Sequence, residues 1–248
     1  MPNDVWKPLI AALDRWQDDG RIASFWLRDD DAVEPTAELA TLLETTAEHD
    51  IPATLAVIPE HTGKALAEFL DSRPRVDVAV HGWSHKNHAG EGEKKQELGL
   101  QRPLDTVLAE LKAGFDHLQA LHPTRFVPML VPPWNRIAAP LIPELAGLDF
   151  EALSVFGPEK PAALRLINCH VDLMDWHGTR GAREADALIA DIVRRLQQMS
   201  DTGGVMGFLT HHLVHDAAGW RFLDGLFEVT TQHPACRWMP LTDMLDQH

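Results

Sequence analysis

Short apolar runs alternate along the chain with longer segments in which apolar residues recur every three or four positions. This is the pattern of βα units that build a parallel sheet or barrel. Residues 22–27 form the first strand candidate and run into Arg28, Asp29, Asp30 and Asp31. A helix over residues 36–49 follows, with Leu39, Leu42, Leu43 and Ala47 on one face. Pro52 opens a strand over 53–58, and a short helix over 63–72 leads to the strand 76–80, which runs straight into His81. Residues 85–101 are polar and carry Gly90, Gly92 and Gly99, so they read as a long loop in which a helix begins near Lys94. Helical spacing returns in Leu104, Val107, Leu108, Leu111, Phe115 and Leu118, and the strand 126–131 is stopped by Pro132 and Pro133. Further strands are expected over 152–155, 165–171 and 205–209, with helices over 182–199 and 219–231.

The acidic run, His81, the Pro132-Pro133 pair, the Asp172 region and His211 all follow the end of an expected strand. In α/β barrels that edge carries the chemistry, because strand ends are rigid and the loops beyond them vary freely. A chain of 248 residues without repeats or an obvious linker fits one domain spanning residues 1–248.

Composition narrows the partners. The 22 Lys plus Arg against 37 Asp plus Glu give a formal net charge of -15, which repels phosphate backbones and anionic membranes, so no nucleic acid and no membrane partner is expected. Cys169 and Cys236 are far apart and lack CxxC spacing, so they are expected as two reduced thiols. Residues 1–16 read as an amphipathic helix with internal charges rather than a signal peptide, and no apolar run is long enough to span a bilayer. The expectation is a cytoplasmic protein, with homo-oligomerisation left open.

Three clusters carry candidate chemistry. Asp29, Asp30 and Asp31 are adjacent carboxylates that repel one another unless cations or donors offset them. They read either as a metal ligand beside a general base or as a solvated loop with one aspartate capping the next helix. His81 and His85 lie four residues apart after an apolar strand, a spacing that lets both rings reach one cation, although surface histidines also recur at it by accident. Leu209, Thr210, His211 and His212 again deliver imidazole at a strand end, where a histidine suits proton donation to a leaving group or sits as a satisfied structural residue.

Together these pieces resemble the polysaccharide deacetylases, the NodB-homology or carbohydrate esterase family 4 group. That family's first motif ends in Asp-Asp, the first being the base and the second a metal ligand, and Leu27-Arg28-Asp29-Asp30 matches it. A register one residue later would make Asp30 the base and Asp31 the ligand. The second motif, His-Ser/Thr-x-x-His, matches His81 to His85 with Gly82 in place of the hydroxyl residue. Asp172-Leu173-Met174-Asp175-Trp176 resembles the fourth and Leu209-Thr210-His211 the fifth. The third departs: no arginine precedes Pro132-Pro133, and Arg136, after Trp134 and Asn135, is the candidate to take that role.

The resemblance implies a distorted, incomplete, seven-stranded (β/α) barrel of the NodB-homology type. It also implies a divalent metal held by Asp30, His81 and His85, with zinc expected first and cobalt, nickel or manganese as alternatives. Asp29 would be the base and His211 the acid, with Trp134, Asn135, Arg136, Asp175 and Trp176 contacting substrate. The reaction implied is removal of an acetyl or related acyl group from an N-acetylated carbohydrate, oligosaccharide or similar small amide. A hydrolase of the same fold acting on a non-sugar carbon–nitrogen bond, linear or cyclic, and a non-catalytic sugar- or metal-binding module are the alternatives.

Overall fold

The structure, a computed structural model, describes residues 4–246. Within them the chain divides into two compact units, one made of residues 4–29, 36–53 and 169–246 and the other of residues 30–35 and 54–168. Strand β1 (Ala23–Ala32) contributes its residues through Asp29 to the first unit and its last three to the second.

In the first unit, β1 pairs in parallel with β8 (Met206–Thr210), which pairs with β7 (Val171–Asp172), while β9 (Cys236–Trp238) joins the start of β1. The helices are α1 (Lys7–Asp18), α2 (Ala37–Glu48), α5 (Ala185–Thr202), α6 (Ala217–Thr231) and the short α7 (Leu241–Asp246). Leu39, Leu42 and Leu43 bury one face of α2, as their spacing requires, and the Thr36 hydroxyl caps its start by accepting the Leu39 amide at 3.0 Å. Asp216 caps α6 in the same way, accepting from the amides of Ala218 and Gly219. Around β9 the core is aromatic: Trp238 lies 5.2 Å from Phe25 and 5.4 Å from Phe227 between ring centroids.

The second unit carries β2 (Ala53–Val57), β3 (Val76–His81), β4 (Phe126–Val131), β5 (Ala152–Leu153) and β6 (Arg165–Leu166), and from β3 to β6 each neighbour pairs in parallel. All five residues of β2 are buried, which is what strands covered on both faces require of their sequence. Helix α3 (Lys64–Asp71) is short, and α4 (Leu104–Leu121) packs Phe115 edge-on against Phe126 at 4.9 Å and Phe150 at 5.1 Å.

Most expected elements form within a few residues of their expected bounds, with four differences. The acidic run belongs to β1 instead of following it. No helix begins near Lys94; residues 85–103 stay irregular, and Pro103 precedes a helix that starts at Leu104. The strand expected over 165–171 is two short strands, β6 and β7, and β9 adds another, so nine strands form among the described residues where seven were expected. The expected N-terminal helix forms from Lys7, and residues 1–3 of that segment lie outside the described residues.

Cys169 and Cys236 form no disulfide. Among the described residues no helix is long and apolar enough to cross a membrane.

Candidate metal centre

In the second unit, Asp31, His81 and His85 each offer one ligand atom, and these atoms lie within 4.8 Å of one another. Asp31 Oδ1 stands 3.1 Å from His81 Nε2 and 3.2 Å from His85 Nε2. Each position has a local cause. His81 is the last residue of β3, and its side chain is 1% exposed. Its Nδ1 meets the Val131 carbonyl oxygen at 2.9 Å. A carbonyl only accepts, so Nδ1 carries a proton, and Nε2 is the nitrogen left to face Asp31 and His85. Asp31 and His85 have φ values of 71° and 57°, left-handed conformations that non-glycine residues seldom adopt outside over-determined sites. At Asp31 that turn breaks the strand alternation that would otherwise place Asp29 and Asp31 on one face.

The loop from Gly82 to His85 is fastened on several sides. The Gly82 amide donates to the Val131 carbonyl at 3.1 Å, and the Trp83 carbonyl accepts the Glu60 amide at 2.9 Å. Buried Glu97 accepts the Ser84 amide at 2.7 Å, the Ser84 hydroxyl at 2.9 Å and the Trp83 amide at 3.3 Å. The His85 ring lies 4.3 Å from that of Trp134. Trp134 and Asn135, with φ of 55° and 56°, form a left-handed turn after Pro133. Arg136 donates to the Lys95 carbonyl at 2.8 Å.

Electrostatics match the crowding. Burial works against protonation of His81, yet the carboxylates of Asp30 and Asp31 and the Val131 carbonyl outweigh it and raise its pKa above the usual imidazole value. His85 moves the other way: burial first, then the neighbouring His81, depress it against the pull of Asp31, Glu97 and Asp30.

The first unit holds a different arrangement. Asp29 Oδ2 accepts the Thr210 hydroxyl at 2.8 Å and the His212 amide at 2.9 Å, while Oδ1 is paired with His212 Nδ1. Burial opposes ionisation of Asp29, but the charge and hydrogen bond of His212, with His215 and Thr210, hold its pKa below the ordinary carboxylate range. Between Thr210 and His212, the His211 amide donates to His215 Nε2 at 3.3 Å, and the His211 ring meets Trp176 edge-on at 4.7 Å. Trp176 donates its indole N–H to Asp172 Oδ2 at 2.8 Å. Burial lowers the pKa of His215 to about 4. The carboxylate of Asp175 accepts the amides of Gly178 and Thr179, each at 3.0 Å, and so closes its own turn.

No protein-family description matches the sequence, and no curated protein matches it. Solved structures do match. A putative polysaccharide deacetylase from Mycobacterium smegmatis aligns over 92% of this chain and 90% of its own at 15% identity, with a TM-score of 0.69. The chain has the fold of the polysaccharide deacetylases. A family 4 acetyl xylan esterase from Clostridium thermocellum, in complex with a cobalt ion, gives a TM-score of 0.57 at 15% identity over 90% of each chain. A CE4 family pseudoenzyme from Bacillus anthracis gives 0.60 at 16% identity, over 92% of this chain and 66% of that one.

The three aspartates of the acidic run are placed differently. The carboxylate that meets both imidazoles is Asp31, where the first register expects Asp30. Asp30 remains buried and acts on His81 through its charge. Asp29, expected as the base, is committed to Thr210 and His212. Trp134, Asn135 and Arg136 follow β4, Trp134 against His85, and Trp176 lies against His211. Sequence reasoning missed Glu97, whose signal was Gly82: a motif position without its hydroxyl leaves the loop to be held from elsewhere. It also missed the Asp29–His212 pair, since nothing in a His-His doublet says which ring turns inward.

Proposed function

We propose that this protein is a metal-dependent hydrolase that removes an acetyl or related acyl group from an N-acylated sugar or small amide. The observation that carries the reading is the Asp31, His81 and His85 group, three donors turned toward one another on a fold shared with polysaccharide deacetylases. The donor set fits a divalent cation. Two neutral imidazole nitrogens and one carboxylate suit a borderline ion such as zinc, with cobalt, nickel and manganese as alternatives, and the Val131 carbonyl fixes the His81 tautomer that ligation needs. When bound, such an ion supplies Lewis-acid polarisation of a carbonyl and acidifies coordinated water.

The chain's own groups do the rest. Asp30, beside the ligand Asp31 and not part of the donor group, is assigned the base that takes a proton from the attacking water. The water oxygen forms the new bond to the acyl carbon, the carbon–nitrogen bond breaks, and the departing amine needs a proton. His211 is assigned that proton's donor from its place in the Leu209-Thr210-His211 motif. Trp134 beside His85 offers a flat face for a sugar ring, with Asn135 and Arg136 as polar contacts. Asp175 is spent on its turn and is given no substrate role.

The likeness to a CE4 family pseudoenzyme favours one second reading, a module that binds metal or sugar without turnover. Acetate release decides between them. Zinc- or cobalt-loaded protein is incubated with N-acetylglucosamine, chitooligosaccharides and small N-acetyl amides, beside the Asp30→Asn variant. Release by the wild type alone supports the hydrolase, and its absence from every substrate with metal bound supports the module.

A further inference from the structure

We infer that Glu97 is a positioning residue for the metal centre, a buried carboxylate that sets the backbone between His81 and His85 so that both imidazoles face one point. The inference rests on the metal-binding reading above and adds a residue to it from outside the ligand set.

Glu97 is 0% exposed. A carboxylate removed from water is costly unless donors replace its hydration. Here no lysine or arginine side chain pairs with it among the described residues, and every donor comes from one short stretch. Oε1 takes the amide and hydroxyl of Ser84, and Oε2 takes the amide of Trp83. Three donors from two consecutive residues, ending immediately before His85, fix the direction in which the chain enters that ligand. Trp83 and Ser84 are the middle of the His81 to His85 loop, so the carboxylate grips the link between the two imidazoles and neither ring itself.

Gly82 fits the same arrangement. Its φ is +58°, and a Cβ built there would fall 2.1 Å from Glu97 Oε2 and 2.7 Å from the Pro133 ring. The carboxylate therefore lies against bare backbone, in space that a side chain at position 82 would fill. His85, with φ of 57°, stays in a left-handed conformation that is strained for a non-glycine residue and must be held by its surroundings. The Val131 carbonyl and the Glu60 amide hold the Gly82 and Trp83 ends of the loop, and Glu97 holds the end next to His85.

A residue needed only for folding would change the melting temperature and leave the folded site alone, whereas a positioning residue changes the site in protein that is still folded. Cobalt(II) is titrated into metal-free wild type, Glu97→Gln and Glu97→Ala, and its visible ligand-field absorption gives both affinity and geometry. Hydrogen exchange of the peptide containing Trp83 and Ser84 is followed in the same metal-free samples. Glu97→Gln keeps the volume and can keep both Ser84 bonds at its one oxygen while its NH2 group faces the Trp83 amide, so it opens no cavity and disturbs folding less than Glu97→Ala.

The expected result is cobalt binding about 10–100-fold weaker in folded Glu97→Gln, with an altered spectrum and faster exchange at Trp83 and Ser84. Unchanged affinity and an unchanged spectrum in the folded variant would overturn the inference while the metal site stands. No cobalt uptake by the wild type would overturn the metal reading itself and this inference with it.

Discussion

Asp29 and His212 form a carboxylate–imidazole pair that solvent does not reach, their side chains 0% and 1% exposed. The same carboxylate also takes the Thr210 hydroxyl and the His212 amide, so one side chain on β1 ties the end of β8 and the turn that carries His211. Removing one partner of such a pair strands the other in a medium that cannot solvate it. Asp29→Ala is therefore expected to lower stability by roughly 3–5 kcal/mol, measured by urea unfolding, and to leave the Asp31, His81 and His85 donors in place.

Asp30 and Asp31 are expected to separate chemistry from ligation. Asp30→Asn should retain bound metal and lose acyl hydrolysis by a factor of about 100 or more, the scale of a general base. Asp31→Asn should lose the metal. Elemental analysis and an acetate-release assay on the two variants check this together, and the reverse outcome would restore the earlier register of the motif.

Gly82→Ala is expected to be costly. The φ of +58° strains any L side chain, and the added Cβ meets the Glu97 carboxylate and the Pro133 ring. A loss of about 2 kcal/mol or more is expected by thermal or denaturant unfolding, against at most about 0.5 kcal/mol for a substitution at an open surface position.

His122 caps the end of α4 with its ring buried and its Nε2 without a hydrogen-bond partner among the described residues. Burial first, then the charge of Arg125, lower its pKa from 6.5 to about 4. Between those values the unfolded chain binds the proton and the folded chain resists it. Stability is therefore fully present above about pH 6.5 and falls as the pH drops toward 4, by on the order of 2 kcal/mol with solvent screening allowed for. His122→Leu should flatten that part of the stability-versus-pH curve, followed by denaturant midpoints across the window.

Much of this arrangement was legible in the residues. The apolar run ending at His81, the helical spacing from Leu104 to Leu118 and the Pro132-Pro133 stop each report a local cause, and each formed where it was expected. The helix expected near Lys94 did not form, because a polar, glycine-rich stretch has no apolar face to bury and is held by contacts such as those of Glu97. Which of the three consecutive aspartates stands beside the imidazoles was not legible. It turns on the left-handed backbone at Asp31 and on the inward ring of His212, and both come from the fold and not from neighbours in sequence.

Metal content of the purified protein by elemental mass spectrometry, after loading with zinc or cobalt and removal of excess, tests the central claim most directly. It is measured for the wild type, Asp31→Ala, Asp30→Ala and His81→Ala/His85→Ala. About one divalent ion per chain in the wild type and Asp30→Ala, lost from the other two, is the predicted result. A wild type that retains no ion, or an ion that survives loss of both histidines, would contradict it.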